Sequence, residues 1–135
     1  MPITYRIDRD IRLIHTRAWG ALTFVDMLAN RLHMVEDPEF EPGLNQLADF
    51  SDVTELYLTG DQIREFAATY SDFSAGSRRA LVVPRPAHYG LARMFEAYRR
   101  IKGGQEEIRS FRSVEAARAW LGLPVPSVRA ATNAG

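Results

Sequence analysis

With 135 residues, 46% of them hydrophobic and 25% charged, the chain has the size and composition of one globular domain rather than of a disordered or fibrous protein. Cysteine is absent, which excludes disulfide frameworks and thiol chemistry and makes a reducing, cytoplasmic setting the simplest reading. The net charge of zero disfavours nucleic-acid binding, yet residues 26–65 hold ten acids against Arg31 and Arg64, while residues 66–135 hold eleven bases against five acids.

Ile3, Tyr5 and Ile7 alternate with Thr4, Arg6 and Asp8, the two-residue period of a half-buried strand. Arg9-Asp10 turns the chain into a second strand, Ile11–Trp19, whose Ile11, Leu13, His15, Arg17 and Trp19 share a face. Gly20 ends that strand. Thr23 caps the next helix with Asp26 at the capping-box position, and Phe24, Met27, Leu28, Leu32 and Val35 form its apolar stripe. Glu36-Asp37-Pro38 stops the helix, and a third strand over Leu44–Phe50 leads into the polar segment Ser51–Thr59. A second helix follows from Asp61 to Phe73, with Ile63, Phe66, Ala67, Tyr70 and Phe73 inward.

Beyond the loop Ser74–Ser77, Arg79–Pro84 reads as a central strand covered on both faces, because its apolar run is continuous. A third helix over Ala87–Lys102 turns Leu91, Met94, Phe95, Tyr98 and Ile101 inward. Its bases Arg85, Arg93, Arg99, Arg100 and Lys102 then project outward or along the rim. Glu107–Phe111 is the last strand, and Ser113 caps a final helix, Val114–Leu121, with Ala117, Trp120 and Leu121 inward. Residues 123–135 are Pro-, Ser- and Ala-rich, so a flexible C-terminal tail is expected behind one domain over 1–122. The order β-β-α-β-α-β-α-β-α predicts an α/β fold with a mixed, mostly parallel sheet of about five strands and about four helices. No apolar run is long enough to span a membrane and Met1–Arg6 has no signal pattern, so a cytoplasmic protein without a transmembrane segment is expected.

This order of elements, with Leu47-Ala48-Asp49-Phe50-Ser51-Asp52-Val53-Thr54 at a strand end and Thr59-Gly60 opening a helix, resembles the SpoIIAA-like and STAS domains. In those domains a strand ending in Asp leads through a short loop to a Ser-Gly pair. Further pieces resemble a bacterial SpoIIAA-like group without an assigned biochemical role: Trp19–Thr23, His88–Arg93, and Phe111 with Ala117 and Trp120-Leu121. The resemblance covers about residues 3–122. It implies protein partners and control by phosphorylation at the position of Thr59. The chain departs from the anti-anti-sigma pattern there: Thr59 replaces the phosphorylated Ser, and Tyr57 stands where an Asp lies two residues earlier. A threonine at this place is also an ordinary helix N-cap.

Chemistry-bearing residues are sparse. His15, His33 and His88 show no metal-ligand spacing, and neither a glycine-rich phosphate loop nor a nucleophile elbow occurs, so no catalytic residue, metal or cofactor is assigned. Asp49, Ser51 and Asp52 make a polar cluster at a strand exit. His88, with Tyr89 and Arg93, opens a helix at a sheet end, where ligands collect in open α/β sheets.

Three readings follow. The first is a non-enzymatic regulatory or protein-interaction module, with Thr59 as phosphoacceptor and a contact surface over Asp49–Gly60. The second is a carrier of a small hydrophobic or anionic, lipid-like ligand, with Phe50, Tyr57, Tyr89 and Phe95 lining its pocket. The third is an enzyme, which needs a polar cleft joining Asp49 or Asp52 to His88. Opposed charged segments and an edge strand in the opening hairpin suit a homodimer.

Overall fold

The computed structural model of the chain describes residues 1–69 and 72–124. Its elements are β1 (Ile3–Asp8), β2 (Leu13–Thr23), α1 (Phe24–Glu36), β3 (Asn45–Tyr57), α2 (Gly60–Thr69), β4 (Arg78–Val82), α3 (Pro86–Ile101), β5 (Glu107–Phe111) and α4 (Val114–Trp120). The strands form one sheet in the order β1-β2-β3-β4-β5, with β1 antiparallel to β2 and the other pairs parallel. The α/β class and the mixed sheet expected from the order of elements are present.

The topology decides where the helices go. Each crossover from β2 to β5 steps one strand in the same direction, so right-handed connections place α1, α2 and α3 on one face. The helix α4, which joins no strands, lies against the other face, where Ala117 and Leu121 pack on Leu13, Leu47, Ala80 and Val82. On the three-helix face Ala48, Leu81 and Val83 pack against Phe95, Ala92 and Tyr89 of α3. The strand β4 is thus buried on both sides, which accounts for its continuous apolar run. Each fully buried Leu or Val of this double core contributes roughly 1.5–3 kcal/mol.

Several boundaries differ from the sequence reading. Gly20 does not end β2; it sits inside the strand at φ +63°, a conformation that suits glycine. Ile11 lies in the turn before β2 and is exposed. The segment Ser51–Tyr57 is strand rather than loop. From Arg17↔Asp49 to Trp19↔Asp52, β3 advances three residues while β2 advances two, and from Gly20↔Val53 to Ala21↔Glu55 it again gains one. Each extra residue is a bulge that bends the strand and keeps Phe50, Val53 and Leu56 inward.

The helices also correct the apolar stripes. On α1 the buried residues are Asn30 and Met34, whereas Leu32 is exposed. On α3, Glu96 and Arg99 are buried and Ile101 is exposed, so Arg99 does not project outward with the other bases. The described part of α2 spans Gly60–Thr69; Phe73 is buried outside helix, and the expected inward Tyr70 lies outside the described residues. Leu123 packs on the α4 core and its N–H donates to the Arg118 carbonyl at 2.9 Å, so the ordered part passes residue 122. Of the tail expected over 123–135, residues 125–135 lie outside the described residues. Among the described residues no helix is long and apolar enough to cross a membrane.

Candidate functional site

A cavity of about 120 Å³ lies between the sheet and the layer formed by α1, α2 and α3. Four phenylalanines line it: Phe24 of α1, Phe50 of β3, Phe66 of α2 and Phe95 of α3. Phe66 stands edge-on to Phe24 (6.3 Å between centroids) and tilted to Phe95 (5.9 Å), so the aromatic rings bridge the three helices over the space. The space is partly open to solvent and mostly apolar in lining, which suits a small, largely apolar molecule.

Polar groups gather among the lining residues near the starts of β3 and β4. Gln46 donates from Nε2 to Thr16 Oγ1 (3.1 Å) and accepts at Oε1 from Arg79 Nε (3.0 Å). The Arg79 guanidinium lies over the Phe73 ring at 4.3 Å and the Phe95 ring at 5.5 Å. Its Nη1 meets Glu106 Oε2 at 3.3 Å, while Arg99 Nη2 meets Glu106 Oε1 at 2.9 Å. The Arg79, Arg99 and Glu106 side chains are 12%, 4% and 1% exposed. Burial, opposed in part by Glu106 and reinforced by Arg99, lowers the Arg79 pKa to about 10, so it remains a cation at neutral pH. Beside it Arg31 of α1 grips both oxygens of Asp72. Sequence reasoning passed over Arg79 and Gln46, although the Arg78-Arg79 pair leading into the apolar run of a doubly covered strand, where one of the two must turn inward, is the available signal.

The residues singled out in the sequence separate into three places. His88 lines the cavity, and burial together with Arg85 lowers its pKa. Tyr89 packs behind it in the α3–β4 core with its ring under the Arg112 guanidinium at 4.8 Å. Arg93 reaches Glu96 Oε1 at 3.4 Å. Of the four expected pocket residues, Phe50 and Phe95 line the cavity, whereas Tyr57 and Tyr89 do not.

The second place is the junction of β3 and α2. Thr59 Oγ1 accepts from the Gln62 N–H (3.1 Å) and Gln62 Oε1 accepts from the Thr59 N–H (3.0 Å), a reciprocal capping box. A Cβ at Gly60 would stand 3.2 Å from Met94 Cε, so glycine lets α2 approach α3. Tyr57 is exposed and its hydroxyl donates to Glu55 (2.6 Å).

Asp49, Ser51 and Asp52 occupy the third. Ala48, Phe50 and Val53 line the cavity, so Asp49 and Asp52 point to the opposite face of the sheet. There Asp49 Oδ1 accepts from the Ser51 N–H (2.9 Å) and Asp52 pairs with exposed Arg17 (2.9 Å). The half-buried His15 shares this face; its burial and nearby Arg6 lower its pKa, against the pull of Asp49. The sheet therefore stands between His88 and both carboxylates, and the polar cleft that the enzyme reading needs is not formed. Among the described residues no three His, Cys, Asp or Glu side chains converge to hold a metal.

A five-stranded mixed sheet with three helices on one face and a terminal helix on the other defines a SpoIIAA-like α/β domain. Among solved structures, the chain is similar to an uncharacterised protein of the DUF3478 family with a SpoIIAA-like fold from Shewanella loihica PV-4. The match has a TM-score of 0.56 and 19% sequence identity, over 88% of this chain and 93% of that one. At that identity the likeness concerns the fold alone. No family model and no curated protein matches the chain.

Proposed function

We propose that this protein is a binding domain for a small, largely apolar molecule, held between the sheet and the α1–α3 layer. The carrying observation is the 120 Å³ cavity and its four phenylalanines. Well-packed domains leave few voids larger than a water molecule, and an empty apolar space forfeits dispersion contacts that a ligand restores. Toluene is a suitable neutral probe. In a heteronuclear NMR titration it shifts the signals of Phe24, Phe66 and Phe95. Ala92→Leu, which fills the cavity from α3, removes the response and raises stability by about 0.5–2 kcal/mol. Absence of a toluene response in both proteins, with no bound mass in native mass spectrometry of the protein from cells, overturns the reading.

A protein-interaction module is the second reading, supported by the exposed Tyr57 beside an exposed Thr59 at the start of α2. A phosphate on Thr59 would sit at the positive end of the α2 dipole, where it is favoured. Thr59→Glu and Thr59→Ala should then change capture of a cellular partner in opposite senses. Equal capture by both variants and the parent removes the switch.

A further inference from the structure

We infer that the cavity selects a carboxylate: a ligand with an apolar body and one singly charged planar head held by Arg79. The inference rests on the ligand-binding reading above and specifies the chemistry of the molecule bound.

Three observations lead to it. Arg79 lines the same cavity as the four phenylalanines, so one molecule can touch both. Its ion-pair partner is shared, since the two oxygens of Glu106 face Arg79 and Arg99 respectively. Finally, the Arg79 guanidinium has donors to spare. Nε donates to Gln46 and Nη1 to Glu106, but Nη2 donates to no described residue.

A cation whose side chain is only 12% exposed and whose Nη2 has no partner among the described residues favours an anion beside it. The head chemistry follows from what is left to offer. With Nε and Nη1 committed, Nη2 offers one well-aligned N–H bond to a head group, few enough donors to suit the single charge of a carboxylate. A phosphate, with three oxygens and up to two charges, calls for a fuller set of donors than the fork still has. A head bonded to Arg79 places its apolar body against Phe95, which the guanidinium itself stacks on, and from there among Phe50 and Phe66.

The test compares phenylacetate with its neutral amide, phenylacetamide, and with toluene, on the full chain at pH 7. Phenylacetate is expected to bind at least about tenfold more tightly than phenylacetamide, the gain typical of a charge-assisted bond over a neutral one. Arg79→Met should erase that preference while toluene still binds, and Arg79→Lys should keep part of it. Arg79→Met leaves Arg99 and Glu106 as a balanced pair, so the fold has no orphaned carboxylate to expel. If the variant nevertheless fails to fold, the acid-to-amide ratio in the parent protein decides. Equal affinity for acid and amide, with toluene bound, overturns the carboxylate inference and leaves the ligand-binding reading standing. Tighter binding of inorganic phosphate than of phenylacetate also overturns it, and no binding of any probe removes both readings.

Discussion

Replacing Glu106 by Gln changes the shape of the side chain little and removes the one carboxylate between Arg79 and Arg99. The Oε1–Arg99 contact of 2.9 Å can survive as a neutral acceptor. The Oε2 position, 3.3 Å from Arg79 Nη1, becomes a donor facing a donor. Two charge-assisted hydrogen bonds at about 1.5–3 kcal/mol each bound the loss from above. Breaking a buried ion pair from one side costs about 3–5 kcal/mol by direct precedent, and the two figures agree. A domain of this size has about 5–15 kcal/mol to lose, so the variant should unfold at markedly lower urea concentration. Because the group is 1% exposed, added salt should not reduce the effect. Glu41→Gln is the control, since its pair with Arg12 at 3.2 Å is more than half exposed on both sides and should cost under about 1 kcal/mol. Equal urea midpoints for the two variants would show that water reaches Arg79 and Arg99 freely, and the buried-cluster reasoning would be wrong.

Gly104→Ala would place a methyl 2.9 Å from the Arg99 carbonyl oxygen and 2.8 Å from Glu106 Oε1, and backbone cannot yield cheaply. A loss of about 1–3 kcal/mol is expected in chemical denaturation. Gly90→Ala on α3 meets nothing within 4 Å and should instead stabilise by about 0.5–1 kcal/mol. His15 and His88 both have lowered pKa values, so their neutral forms favour the folded state. That stability is present above pH 6.5 and lost as pH falls through the folded values; His15→Gln with His88→Gln should flatten the acid limb of a stability–pH curve. Tyr5 behaves in the opposite sense: burial and its bond to Asp37 (2.8 Å) push its pKa up to about 12. Its contribution is complete below pH 10 and disappears towards pH 12, and Tyr5→Phe should remove that alkaline loss in thermal melts.

Most of the fold was legible because its elements obey one period at a time. The alternation of Ile3, Tyr5 and Ile7, the continuous run at Ala80–Val83, and the caps at Thr23 and Ser113 each have a local cause. The second half of β3 was not legible. Its inward residues Phe50, Val53 and Leu56 recur every third position, since bulges insert residues between them, and a spacing of three reads as neither strand nor helix. Polar residues that turn inward were hidden for another reason. Arg31 and Asp72 are 41 positions apart, and Gln46 and Arg79 are 33 apart, so nothing near either partner in the chain announces the bond. On α1 the expected Phe24, Met27 and Val35 do face the interior, while Asn30 and Met34 are buried beside them and Leu32 is exposed. The cavity was anticipated through Phe50, Phe95 and His88; its charged end depends on contacts that exist once the sheet has assembled.

The long pairing of β2 with β3 has a mechanical side. These two strands stay together as far as Thr23↔Tyr57, whereas β4 accompanies β3 only from Gln46 to Asp49 and β1 reaches β2 only to Ala18. Past that point the sheet narrows to a two-stranded ribbon, far easier to twist than a slab of five. The helix α1 leaves its tip at Phe24 and α2 leaves within three residues of Tyr57. The roots of both helices are therefore set by the bend of one bulged ribbon. Phe24 is carried at the root of α1 on that ribbon, whereas Phe66 of α2 also leans on Phe95 of α3 and so couples the ribbon to the five-stranded part of the sheet.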